Sequence, residues 1–242
     1  MSRTLTGRRR ETTFTDAQLT VGWQAASLLL GYPDEELLDR LDLVRQASHE
    51  LPDRVGEPLR ACVDLLQGTP LTELEADYVE TFDTRRRHNL FLTYFAHGDT
   101  RKRGMALLRF KQAYLASGFE LTDTELPDHL CVVLEYAATI DRAQGRQLLL
   151  DHRAGLELLR IALGESGSRW AGAVEAVTAT LPPLQGDEWD AVRRLAAEGP
   201  PDEEVGLTPY ETPAFDPGPA RPDGPVSLPM PAFRAPTTRG AR

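Results

Sequence analysis

TDAQLTVGWQAASLLLGYPDEELLDRLDLVRQASHEL, residues 15–51, reads as helix, stop, helix. Thr15 with Gln18 has the spacing of a capping box, in which a threonine side chain and a glutamine three residues later satisfy each other's backbone donors at a helix start. Gly31 and Pro33 close that helix. Asp34 caps the next, EELLDRLDLVRQASHEL.

The same punctuation recurs outward from this stretch. EPLRACVDLLQG is a short helix ended by Gly68, and Thr72 with Glu75 reads as a second capping box opening ELEADYVETFD. Thr100 starts RKRGMALLRFKQAYLASG, with Gly118 as its stop. Pro127, favoured at a first helical position, leads into DHLCVVLEYAATIDRAQ. Gly145 divides this from RQLLLDHRAGLELLRIALGESG. RWAGAVEAVTATL ends at Pro182-Pro183, and DEWDAVRRLAAEG ends at Pro200-Pro201. Strand signals are almost absent. The pattern predicts an all-α fold, one compact multi-helix domain of about nine helices.

Residues 199–242 differ in composition: they hold 11 of the 18 prolines and few aliphatic residues. Such a segment buries too little apolar surface to offset its ordering entropy. The expected division is a flexible N-terminus over 1–14, a helical domain over 15–198 and a disordered Pro-rich tail over 199–242. The tail's repeated Pro213-Ala214-Phe215 and Pro231-Ala232-Phe233 are read as compositional coincidence.

Charge is unevenly distributed. The chain carries a formal net charge of −10, yet residues 85–111 hold eight basic residues against one acid, Asp99. The basic residues are Arg85, Arg86, Arg87, Arg101, Lys102, Arg103, Arg109 and Lys111. Arg101, Lys102 and Arg103 open a helix, where positive charge opposes the helix dipole. Charge set against local preference suggests a use: pairing with the acidic flanks, or binding an anion through the planar guanidinium fork. Between the clusters lie Leu90, Phe91, Leu92, Tyr94 and Phe95. Core packing is the expected fate of most of these, although an apolar surface rimmed by arginines also suits an amphipathic helix laid in a groove.

Several function classes lose support. The overall negative charge argues against nucleic acid and anionic membranes as general partners. No apolar run approaches the length of a membrane span. Arg8-Arg9-Arg10 before VGWQAASLLLGY imitates a signal peptide only loosely, because Glu11, Asp16 and Gln24 interrupt it and no small-residue cleavage site follows. Cys62 and Cys131 are 69 residues apart, outside any metal-type spacing, and are read as reduced cytoplasmic thiols. His49, His88, His97, His129 and His152 are scattered, so no metal site is expected. No phosphate loop is present. An enzyme would have to use Asp128 and His129 with Glu125, but neighbours on a helix do not face each other. The plain account of ELPDHL is a well-made helix N-terminus, with Pro127 at the first position and Asp128 complementing the dipole.

FDTRRRHNLFLTYFAHGDTRKRG (82–104), the E-x-P-D-H signature at Glu125, Pro127, Asp128 and His129, HRAGLELLRIAL (152–163) and LPPL (181–184) occur in this order. Together they resemble the NarJ group of nitrate reductase molybdenum cofactor assembly chaperones, also called the delta subunit, within the wider TorD-like family. The resemblance covers roughly residues 17–200. It implies an all-helical, cytoplasmic chaperone without catalytic turnover. Such a protein binds the apo catalytic (alpha) subunit of respiratory nitrate reductase, notably its N-terminal peptide. It assists insertion of the molybdenum cofactor and an iron–sulfur cluster, and delays membrane docking. Molybdenum cofactor biosynthesis proteins are a further implied partner class. No permanently bound cofactor is expected, and transient contact with the molybdenum cofactor is the alternative use of the arginines.

On this reading the client-binding residues are Arg85, Arg86, Arg87, Leu90, Phe91, Tyr94, Phe95, Arg101, Lys102 and Arg103. Glu125, Pro127, Asp128 and His129 carry the family signature. Residues 1–14 and the Pro-rich tail fall outside the resemblance. The rival readings are a nucleotide-binding enzyme and a helical adaptor, both built on the 85–111 patch.

Overall fold

The computed structural model describes residues 14–122 and 125–200. The expectations for the N-terminal arginines, the Pro-rich tail and the Pro-Ala-Phe repeat lie outside the described residues. Within them the chain is helical, with eleven α-helices in place of about nine.

The first turn of α1 (Asp16–Leu29) holds both bonds of the expected capping box: Gln18 N–H donates to Thr15 Oγ1 at 3.2 Å and Thr15 N–H to Gln18 Oε1 at 3.0 Å. In α2 (Glu35–Ser48), Asp34 Oδ1 accepts from Leu37 N–H at 2.7 Å, as expected. α3 (Asp53–Gln67) buries Val55, Leu59, Cys62, Val63 and Leu66, a helical stripe that seats it between α2 and α10 (Ala171–Ala179). α1 packs across α7 (Leu130–Thr139) and α10. Trp23 is fully buried there and its indole donates to Thr180 Oγ1 at 2.9 Å, which gives a polar atom in the core its partner.

Three sequence expectations are corrected. α4 (Leu71–Tyr78) begins directly after Pro70, with no side-chain cap, so Thr72 lies in its first turn and makes no box with Glu75. Gly145 divides nothing: it lies inside α8 (Arg142–Asp151), which is capped by Asp141 accepting from Gln144 N–H at 2.9 Å. The glycine is there for approach, because a Cβ at 145 would meet Ala137 Cβ of α7 at 2.3 Å. The long RQLLLDHRAGLELLRIAL helix instead breaks at His152, between α8 and α9 (Arg153–Glu165).

The third correction concerns ELPDHL. α7 starts at Leu130, so Pro127 and Asp128 precede the helix and Asp128 is not in its first turn. The segment returns to Phe91, with which His129 forms an isolated antiparallel bridge. Leu92 N–H donates to Asp128 O at 3.0 Å and Leu130 N–H to Leu90 O at 2.8 Å. A strand-like pairing thus fastens two loops that each read as apolar or helix-opening in isolation.

The rest frames these loops. α4 continues into a π-helical turn, Val79–Asp83, and a 3-10 turn, Arg86–His88. A four-residue helix α5 (Tyr94–His97) follows, then α6 (Arg101–Ala116). α11 (Gly186–Glu198) lies on α9 with Val192 as its buried residue.

Candidate functional site

The basic segment and the E-x-P-D-H signature meet at one buried carboxylate. Asp128 is 0% exposed. Its Oδ2 accepts from Thr93 N–H at 3.2 Å and from the Thr93 hydroxyl at 2.5 Å. Arg103, from the first turn of α6, reaches the same place. Its Nη2 is 3.7 Å from Asp128 Oδ2, its Nε donates to Thr93 Oγ1 at 3.3 Å, and its Nη1 bonds Asp99 at 3.1 Å. The guanidinium carbon stands 5.2 Å from the Phe91 ring centre, within cation–π range. The Phe91 ring in turn meets His129 edge-on at 5.1 Å. Behind the loop, the Tyr114 hydroxyl donates to Pro127 O at 2.6 Å.

The other sequence-selected residues separate by burial. Leu90, Tyr94 and Phe95 are buried and belong to the packed interior. Phe95 lies against Gly155 of α9, where a Cβ would stand 2.8 Å from the Phe95 ring. Phe91 is half-buried, and Glu125 is exposed. Arg85, Arg86, Arg87, Arg101 and Lys102 are exposed. Arg85 pairs with Glu80 at 3.1 Å, and Arg87 donates to Ala196 O in the last turn of α11 at 3.1 Å, where the helix carries its negative end. On α6 the exposed basic residues flank Met105 and Leu108, which are 67% and 44% exposed. Leu92 and Phe95 also line a cavity of about 370 Å³, with Gly155 and Leu195 and the polar Asp151, Arg194 and Glu198 in its wall.

Sequence reasoning missed Thr93. It is an uncharged residue inside an apolar run, and its partner lies 35 positions away. Asp99 was noted only as an offset to the arginines.

The imidazoles here are shifted in one direction. Burial lowers the pKa of His88, further lowered by Arg85; burial lowers that of His129 against the raising effect of Asp128; and burial, then His152, Arg109 and Lys102, lower that of His97. A group whose folded pKa is depressed stabilises the fold above its unfolded value, near pH 6.5 for histidine, and that contribution is lost as pH falls. The thermal midpoint is therefore expected to fall from pH 7 to pH 5.5, before most carboxylates titrate. Melting curves read by circular dichroism check this, and a midpoint that rises over the interval contradicts it.

A family profile described as nitrate reductase delta subunit matches residues 48–176. The nitrate reductase-like protein NarX of Mycobacterium tuberculosis (strain H37Rv) is 40% identical over 161 residues, 66% of this chain and 24% of that protein. This chain thus spans about a quarter of NarX. The probable nitrate reductase molybdenum cofactor assembly chaperone NarJ of Bacillus subtilis is 33% identical over 168 residues, covering 69% of this chain and 90% of that protein. The nitrate reductase molybdenum cofactor assembly chaperone NarJ of Escherichia coli (strain K12) is 35% identical over 149 residues, covering 60% and 63%.

Proposed function

Because this chain belongs to the nitrate reductase delta subunit family, we propose that it is a cytoplasmic assembly chaperone for the catalytic subunit of a respiratory nitrate reductase. It binds the N-terminal peptide of the apo subunit and keeps it open for insertion of the molybdenum cofactor and an iron–sulfur cluster before membrane docking. It turns over no substrate. The observation that carries the reading is the junction at Asp128, where the E-x-P-D-H loop and the basic helix α6 share one set of hydrogen bonds.

The client surface consists of the exposed Arg85, Arg86, Arg101 and Lys102, the half-buried Phe91, and Met105 and Leu108 on the outer side of α6. The arginines bind carboxylates or backbone carbonyls of the peptide, and the apolar side chains cover its apolar positions. The cavity beside the 92–95 turn accepts one apolar anchor side chain. Leu90, Tyr94 and Phe95 act from beneath, by fixing the turn.

Titration calorimetry with the synthetic N-terminal peptide of the catalytic subunit tests this. The expected result is binding that weakens as salt rises. Arg101→Ala/Lys102→Ala should bind about tenfold more weakly, the order of one charge-assisted contact, with native circular dichroism. Failure of the wild-type protein to bind both the peptide and the apo subunit overturns the reading, and nucleotide turnover by the purified protein would favour the enzyme rival.

A further inference from the structure

We propose that Thr93 is the positioning residue through which the signature acts on the basic helix. Asp128 touches no client: it holds Thr93, and Thr93 holds Arg103. The functional half of this inference rests on the client-binding reading above; the geometric half does not.

A threonine hydroxyl has one proton to give and lone pairs to receive. Here the proton goes to Asp128 Oδ2 at 2.5 Å, and a lone pair takes Arg103 Nε–H at 3.3 Å. Thr93 is fully buried, as is Asp128, so neither oxygen has water as an alternative partner. The Arg103 side chain is 16% exposed, against 48% for Arg85. Its guanidinium lies against Thr93 and the Phe91 ring, with Nη1 on the exposed Asp99. The relay therefore withdraws Arg103 from the exposed charge of the patch. It fixes the first turn of α6 against the 91–94 turn and leaves Arg101 and Lys102 facing outward.

The junction is also under-satisfied. Asp128 Oδ1 and Arg103 Nη2 are both buried without a hydrogen-bond partner, and the direct ion pair is open at 3.7 Å. A closed bidentate pair would hold Arg103 without help. In an open one the Thr93 hydroxyl carries the hydrogen-bonded link between Arg103 and Asp128, while Asp99 ties Arg103 only to the residues just before α6. This is why the proposal names Thr93, which no charge or motif marks, as the residue whose loss separates the signature from α6.

Two readouts test it. In the ligand-free protein, the Nε–H resonance of Arg103 should be visible and slow to exchange by NMR. It should persist in Thr93→Ser and disappear in Thr93→Val, which keeps the shape and removes the hydroxyl. An unchanged resonance in folded Thr93→Val overturns the relay. In peptide titrations, Thr93→Val should raise the dissociation constant about tenfold, and Thr93→Ser should restore it to within about twofold. If Thr93→Val does not fold, Arg103→Lys takes its place. It keeps the charge and loses the planar fork, and should weaken the peptide by about the same factor. Wild-type affinity in folded Arg103→Lys, or no rescue by serine, overturns the positioning role. If the wild-type protein binds no peptide, the client reading fails while the resonance of Arg103 still decides the relay.

Discussion

Glu157→Ala is expected to destabilise the protein by about 3–5 kcal/mol, the usual cost of leaving one member of a buried ion pair alone. Arg153 and Glu157 are one turn apart on α9 and both are buried. Arg153 Nη2 donates to Glu157 Oε1 at 2.7 Å, while Arg160 Nε donates to Oε2 at 2.6 Å. Apart from Glu157, Arg153 has Thr178 O at 3.3 Å, and its Nε has no partner. Burial already pulls the guanidinium below its ordinary value, with Glu157 opposing. Without Glu157 the buried charge keeps only Thr178 O and the field of Glu188 to compensate it. A midpoint lower by roughly 10 °C is the thermal counterpart for a chain of this size. The paired change Arg153→Met/Glu157→Leu should recover most of the loss, because apolar groups of similar volume remove the desolvation cost together with the attraction. Urea unfolding of the three proteins measures both quantities. A loss under about 1 kcal/mol in Glu157→Ala would show that Arg153 regains water when its partner goes.

Asp128→Ala should remove about 3 kcal/mol and, on the chaperone reading, abolish activity of the client enzyme. The carboxylate accepts both polar hydrogens of Thr93 in a fully buried position. Its loss leaves a backbone N–H and a hydroxyl without acceptors, at about 1–3 kcal/mol for each unsatisfied group. Asp128→Asn keeps one acceptor oxygen and should cost about 1 kcal/mol, yet it replaces a carboxylate oxygen facing Arg103 by an amide. If the residue only stabilises the fold, client activity will follow the melting temperature across the two variants. If it sets the basic helix, Asp128→Asn will lose client maturation while the protein stays folded and abundant. Full client activity in folded Asp128→Asn would end the functional reading of the signature.

A mild effect of Asp128→Asn through the helix dipole is what ELPDHL alone suggests, and the structure removes the basis for it. A proline followed by an aspartate satisfies every local rule for a helix start. The helix waits until Leu130 because Asp128 and Leu130 are drawn into pairing with residues 90–93. Gly145 shows the same limit: a glycine in a helical run reads as a break, and here it admits Ala137 of a neighbouring helix. His152 carries no breaking signal in the sequence, yet the break is there. At ELPDHL and Gly145 a contact with another segment overrides a local preference worth about 1 kcal/mol.

What the amino-acid sequence determined by itself was the helical class, the capped starts of α1 and α2, the concentration of basic residues over 85–111, and the family. These follow from interactions spanning no more than four residues, or from the identity and order of motifs. Only the tertiary structure decided which members of the 85–103 segment face outward, and that Thr93 joins Asp128 to Arg103. Charge and hydropathy mark a residue as polar or apolar wherever it stands. Whether a carboxylate meets water or a hydroxyl 35 positions away depends on how the chain returns on itself, and no local pattern encodes that return.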